Sequence, residues 1–348
     1  MILGVSRSVA RLVVLAVSGS AALLAMAYHV EPLGSWWLEL AQYAPYPVYL
    51  LPALLALVLS LLLGRVWRVA ALLGLGLVVT VIMGLAWGSA DHGSGRVRVM
   101  TYNVKAYLLR HQAQAFTLLE QEVAQHAPDI LVMQDAGELT ELRRQQPATA
   151  ASIYAGRHIY AFGQYVVVSR YPLRDCRPGD MSFRGQGHTF VKCTVAAEGV
   201  EFDLLTAHLL SPRGGLNATR RDPAEGVKEW QQNFADRLAQ ATRVAAVAGA
   251  LARPLVVAGD LNAPESSPVV RSLLARGLRD AFSAGGRGYG YTHGHALRLR
   301  AVFEDSFLRI DHILVSPEIG VLDCFAGGKE ASEHRPVIAD LLLRRDPR

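Results

Sequence analysis

Apolar and polar positions divide the chain at about residue 90. Before it, Leu12–Val30, Leu40–Gly64 and Val69–Ala90 contain no Asp, Glu, Lys or Arg. Helices of that length cross roughly 30 Å of hydrocarbon, so the pattern predicts three transmembrane helices. Beyond residue 95 the apolar runs shorten and read as strands: Arg96–Tyr102, Ile130–Met133, Val166–Val168, Phe190–Val195, Phe202–Ala207, Pro254–Ala258, Ile310–Val315 and Val337–Leu342. Between them, Phe116, Leu119 and Val123 recur at helical spacing within 113–126, and 228–251 reads as a long amphipathic helix. Many short strands and few helices imply two sheets packed together with helices outside. The organisation expected is a membrane anchor over 1–90, a short flexible linker over 91–95 and a globular domain over 96–348.

Charge adds an orientation. Arg7 and Arg11 precede the first span and Arg65 and Arg68 separate the second from the third, whereas the intervening loop carries Glu31 and Glu39. The positive-inside tendency then puts the N-terminus in the cytoplasm and everything after Ala90 outside. Cleavage at the signal-peptidase-like Ala25-Met26-Ala27 would leave two spans and the same placement of the large domain. A formal net charge of +5, carried mostly by Arg, suits anionic substrates or lipid headgroups and is well short of a nucleic-acid footprint. Cys176, Cys193 and Cys324 have no metal-site spacing. Cys176 and Cys193 are either a disulfide across a hairpin, which an oxidising exterior permits, or two buried thiols.

The candidate chemistry lies where polar residues interrupt buried runs: Asn103, Gln134-Asp135, His208, Asp260-Asn262 and Glu333-His334. In the run leading to Pro264 the strand should stop at Gly259, and strand alternation would aim Asp260 and Asn262 the same way. Asp135 and Glu333 offer the hard oxygen donors that suit Mg2+ or Mn2+, which need few protein carboxylates when phosphate and water complete the shell. His334 suits a base or a cationic donor to a phosphoryl group, with Asp311 orienting its ring. Asp260 is the candidate acceptor of a water proton, and Asn103, Asn262 and His208 are candidate donors to phosphoryl oxygens. Arg213, shortly after His208, has the planar fork that grips phosphate. Tyr291, Thr292 and His293, in a glycine-bearing stretch, are expected to line the substrate entrance.

Taken in order, MTYNV (100–104), DILVMQD (129–135), SRYPL (169–173), TAHL (206–209), GDLNAP (259–264), RIDHILVS (309–316) and SEHRPV (332–337) resemble the endonuclease/exonuclease/phosphatase superfamily of metal-dependent phosphoesterases. The resemblance covers residues 96–343. It implies a four-layered α/β sandwich, two packed and mainly antiparallel sheets flanked by helices, with the site at one edge. It also implies Asp260, Asp311 and His334 as the hydrolytic group, Asn103, His208 and Asn262 as phosphate contacts, and a metal at Asp135 and Glu333. Two positions depart from the family pattern. Its usual Gln-Glu is Gln134-Asp135, and its usual Ser-Asp-His is Ser332-Glu333-His334. One carboxylate is a methylene shorter and the other a methylene longer, which would move a metal by about an ångström. Together with the spans, the resemblance implies a metal-dependent phosphoric ester hydrolase acting outside the cell membrane on an envelope lipid phosphate or diphosphate. An external nuclease and a catalytically silent, membrane-tethered binding domain are the competing expectations.

Overall fold

The computed structural model describes residues 6–30, 35–109, 115–145, 151–294 and 306–344. They fall into two units: Met1–Ala86 with Ser266–Pro268, and Trp87–Glu265 with Val269–Arg348.

In the first unit the helices are Arg7–Val30, Trp36–Gln42, Pro47–Ser60 and Arg65–Leu77, the last running on as a wider π-helical turn, Val78–Ile82. Arg7–His29 and Arg65–Ile82 are long and apolar enough to cross a membrane. The expected middle span is broken, because Trp36–Gln42 and Pro47–Ser60 meet at 79°. Pro45 and Pro47 cause this: proline cannot donate a backbone hydrogen bond, and hydropathy does not register that loss. Pro47–Ser60 alone rises only about 21 Å, so the candidates number two, or three if the bent pair is one span. Small residues face inward, with Ala10, Val14, Ala56 and Ala71 in one buried cluster. A Cβ on Gly74 would lie 2.6 Å from Ser18 Oγ, so glycine is what allows those helices to approach. Leu12, Leu23, Leu51, Val66 and Leu73 are exposed, which gives this unit an apolar exterior.

Among the described residues, the second unit is built on two six-stranded sheets, twelve strands in all. In chain order they are β1 (Arg96–Asn103), β2 (Ile130–Gln134), β3 (His158–Phe162), β4 (Tyr165–Ser169), β5 (Leu173–Asp180), β6 (Thr189–Ala197), β7 (Val200–Thr206), β8 (Leu255–Asp260), β9 (Arg279–Asp280), β10 (Asp311–Val315), β11 (Ile319–Ala326) and β12 (Val337–Leu343). One sheet has the order β11-β12-β1-β2-β4-β3 and the other β9-β10-β8-β7-β6-β5. Both are mixed: β1–β2 and β7–β8 are parallel and the remaining pairs antiparallel. Strands β2, β4, β8, β10 and β12 are buried along their whole length. They are covered on both faces, by the opposite sheet and by helices, which is why they read as continuous apolar runs. Leu119 and Val123 of helix Ala115–His126 share a cluster with Met100, Leu131 and Met133. The long helix runs Pro223–Gly249, starting earlier than its apolar pattern suggests. Asp222 accepts from the N–H groups of Ala224 and Glu225, and Pro223 occupies the first turn, so the cap sets the start.

Cys176 and Cys193 form a disulfide, which resolves the alternative left open by the sequence. It joins β5 to β6 where the register shifts between Arg174 and Arg177. Asp91, in the expected linker, is fastened to β11: its N–H donates to Val321 O at 2.8 Å, and its carboxylate accepts from Val321 N at 2.9 Å.

Candidate active site

Strands β1, β2, β7 and β8 deliver polar side chains to one edge of the sandwich. Asn103 lies opposite Gln134, His208 bridges to Asp260, and Asp260 is paired with Asp311 of β10. Gly259 makes the close passage possible, since a Cβ there would lie 2.1 Å from Ala207 O. The strand therefore runs one residue beyond Gly259 and ends on Asp260.

Asp260 is buried and surrounded by donors. Asn103 Nδ2 donates to its Oδ2 at 2.9 Å and Asn262 N to its Oδ1 at 2.9 Å. His208 Nε2 lies 3.5 Å and His334 Nδ1 3.8 Å from Oδ2. His334 Nδ1 donates to Asp311 Oδ2 at 2.9 Å. The other Asp311 oxygen is buried with no hydrogen-bond partner among the described residues. Burial pushes the Asp260 carboxyl up, and the neighbouring Asp311 charge adds to it. Burial would also raise Asp311, but the His334 ring outweighs it and holds Asp311 below the usual range. Burial works against a charged His334, yet Asp311 and Asp260 prevail and raise its imidazole above its ordinary value. Both Asp260 and His334 are thereby better proton acceptors than the same groups in water.

Asp260, Asp311 and His334 each place one ligand atom within 4.8 Å of the others, all buried. Two carboxylates, an imidazole and an unpartnered anionic oxygen are a donor set that fits a divalent cation. Asp135 and Glu333, the ligands expected from the sequence, are not members of that group. Asp135, partly buried, places Oδ1 3.5 Å from His208 Nδ1. Glu333 places Oε2 2.7 Å from Lys105 Nζ and 3.1 Å from Arg213 Nη2. Asn262 has φ 49°, so strand alternation does not reach it, and its Nδ2 donates to Leu209 O at 2.9 Å.

The family model described as Endonuclease/Exonuclease/phosphatase family matches residues 100–334. The chain belongs to this family. Solved structures show the same fold. An endonuclease/exonuclease/phosphatase family protein from Bacteroides thetaiotaomicron is 17% identical, with a TM-score of 0.52 over 73% of this chain and 100% of that one. A mannosyl-6-phosphatase of the same organism is 17% identical, with a TM-score of 0.51 over 71% of this chain and all of that one (100%). D. rerio TDP2 complexed with a single-strand DNA product is 15% identical, with a TM-score of 0.53 over 72% and 100% of the two chains. A comparison with curated protein sequences gives no match. Members of the endonuclease/exonuclease/phosphatase family are divalent-metal-dependent hydrolases of phosphoesters, and among the described residues the Asp260-Asp311-His334 group could hold such a metal.

Several further residues take places at the site that the sequence did not give. Gln134 is fully buried and donates to Thr101 and Thr206, tying the two sheets together behind Asp135. Tyr165 OH accepts from His208 N at 2.9 Å, and Gln164 Oε1 lies 2.6 Å from His208 Nδ1. Arg237 donates to Asn262 O at 2.7 Å from the long helix. Thr292, expected at an entrance, is instead wholly buried, and its hydroxyl accepts from Ile310 N and Asp311 N where β10 begins. His293 stacks on His334 at 4.2 Å between ring centroids. Lys105 had the clearest signal available, its place two residues after Asn103 and directly after the first motif.

Proposed function

We propose that this chain is a membrane-anchored, extracytoplasmic phosphohydrolase that uses Mg2+ or Mn2+ and acts on a phosphoester or diphosphate, foremost an envelope lipid phosphate. The observation that carries the reading is the convergence of Asn103, His208, Asp311 and His334 on Asp260. A divalent metal, for which the second Asp311 oxygen and the Asp135 carboxylate offer hard ligands, would neutralise charge at the phosphoryl group. Asp260 takes the proton of the attacking water, a role matched by its upward shift. The imidazolium of His334, held by Asp311, donates to a phosphoryl oxygen. Asn103 and His208 fix the Asp260 carboxylate and border the same oxygens, and Asp135 and Asn262 complete the rim. The apolar helices support attachment to a membrane, and the Cys176–Cys193 disulfide supports an oxidising location.

The test is a phosphate-release panel on the detergent-solubilised protein with Mg2+ or Mn2+, covering lipid phosphates, sugar phosphates and plasmid DNA. Lipid phosphates should turn over fastest, and EDTA should stop the reaction. His334→Ala should lower kcat by about 10²–10⁴-fold while the far-UV circular dichroism of the fold is retained. Faster nicking of DNA than of any lipid phosphate would replace this reading with a nuclease.

A further inference from the structure

Beside the hydrolytic group two cations share one oxygen. Lys105 Nζ lies 2.7 Å and Arg213 Nη2 3.1 Å from Oε2 of Glu333. Their exposures are unequal: the Lys105 side chain is 8% exposed, Glu333 48% and Arg213 52%. A buried ammonium needs an anion at all times, because leaving it unpaired costs far more than the pair gains. A half-exposed carboxylate returns to water cheaply. The asymmetry makes Lys105 the fixed member and Glu333 the exchangeable one, while Arg213, itself half-exposed, follows whichever anion pairs with Lys105. The place is also set. Glu333 immediately precedes His334, Lys105 lies two residues beyond Asn103, and the Lys105 charge acts on the His334 and His293 rings. A group held by these cations is therefore next to a phosphoryl group held at Asp260 and His334.

Resting on the phosphohydrolase reading, we infer that Lys105 and Arg213 form a second anion subsite, with Glu333 as the resident counter-ion that a substrate's second phosphoryl group displaces. The substrate class is a diphosphate. An ammonium as a point charge and a guanidinium as a planar fork together match a phosphoryl group, which offers more acceptor oxygens than the carboxylate it replaces. In hydrolysis the water oxygen bonds to the phosphorus at Asp260 and His334, and Asp260 takes the water proton. The bridging P–O bond breaks, and its electron pair stays on the bridging oxygen, part of the group that Lys105 and Arg213 retain. The two cations thus stabilise the leaving group as well as binding it.

Glu333→Gln and Arg213→Ala are compared with the unsubstituted full-length protein in detergent, with phenyl phosphate and phenyl diphosphate as substrates and Mg2+ present. Binding of methylenediphosphonate, which does not hydrolyse, is measured alongside by calorimetry with and without Mg2+. Arg213→Ala should lower the diphosphate-to-monoester ratio of kcat/KM at least tenfold and weaken the diphosphonate by a similar factor. Glu333→Gln should tighten the diphosphonate several-fold, since the internal competitor is gone. A ratio that stays constant in both variants overturns the subsite. So does equal loss of magnesium-dependent turnover of both substrates in Glu333→Gln, which would make Glu333 a metal ligand. If the unsubstituted protein hydrolyses neither substrate, the phosphohydrolase reading fails, and diphosphonate binding still decides the subsite.

Discussion

Three side chains at the candidate site stand on backbone that L-residues rarely adopt: Lys105, Asp135 and Asn262 have φ of 43°, 50° and 49°. Each comes just after a strand end, where a left-handed residue turns the chain and presents the side chain at the sheet edge. Asn262 illustrates how that geometry is held. Its N–H donates to Asp260, its carbonyl accepts from Arg237, and its amide reaches Leu209 O. Asn262→Gly should keep the backbone and lose only the amide contacts, whereas Asn262→Ala should also strain the left-handed residue. The alanine variant should be the less stable by about 1 kcal/mol, read from thermal unfolding in detergent. Thr292→Val should cost about 1–3 kcal/mol, because it strips the acceptor from the buried N–H groups of Ile310 and Asp311. Phosphate release should fall with it, as the strand carrying Asp311 loses its anchor. Asp260, Asp311 and His334 were legible in the sequence, since each interrupts or borders a buried run where packing alone gives no reason for a charge. Lys105 as a partner of Glu333 was not, because the two are separated by 228 positions and no local pattern encodes that contact.

Among the elements, the strands buried on both faces were read with little error, because they leave apolar runs that resemble nothing else at that length, whereas β3, β5 and β11, with exposed or half-buried positions, went unread. The middle span of the first unit was read as one straight helix, without its 79° bend, because a hydropathy window averages over Pro45 and Pro47. Short strand β9 escaped altogether, although it ends on Asp280, the centre of a buried charge network. Asp280 accepts from Arg309 Nη1 at 2.7 Å, and its other oxygen lies 2.7 Å from His312 Nδ1. His312 Nε2 is 2.9 Å from Ala263 O, so the network reaches the turn that follows Asn262. Burial would raise the Asp280 carboxyl, but the Arg309 and His312 charges outweigh it and depress it. A carboxyl lowered by folding stabilises the protein above its unfolded value of about 3.9, and that contribution is lost as pH falls through the folded value. Asp280→Asn should therefore flatten the acid limb of a stability-versus-pH curve. It should also cost about 3 kcal/mol at neutral pH, because Arg309 stays buried without that partner. The disulfide closes a separation of 17 residues. Reduction, or Cys176→Ser with Cys193→Ser, should lower stability by about 3 kcal/mol, measured as a shift in unfolding with and without reductant.

For the whole molecule, the division into an apolar helical unit and a mixed-sheet sandwich follows from where charge-free runs give way to short strands. The pattern was plain because an apolar exterior and a charged one leave opposite signatures in a sequence. The placement of the sandwich outside the membrane is a separate matter, decided by protease treatment of intact spheroplasts: the sandwich should be cut there, and protection would put it in the cytoplasm. One outer border of that sandwich has a further effect. Strand β5 exposes Arg174, Asp175, Arg177, Pro178 and Asp180 along a register shift and is tied to β6 by the disulfide. Proteins confined to a bilayer leaflet collide often and in similar orientations, conditions under which bare strand rims zip neighbours into fibrous stacks. A rim that is kinked, studded with both signs of charge and covalently pinned offers no template for such growth, so crowding should leave these molecules separate along that side.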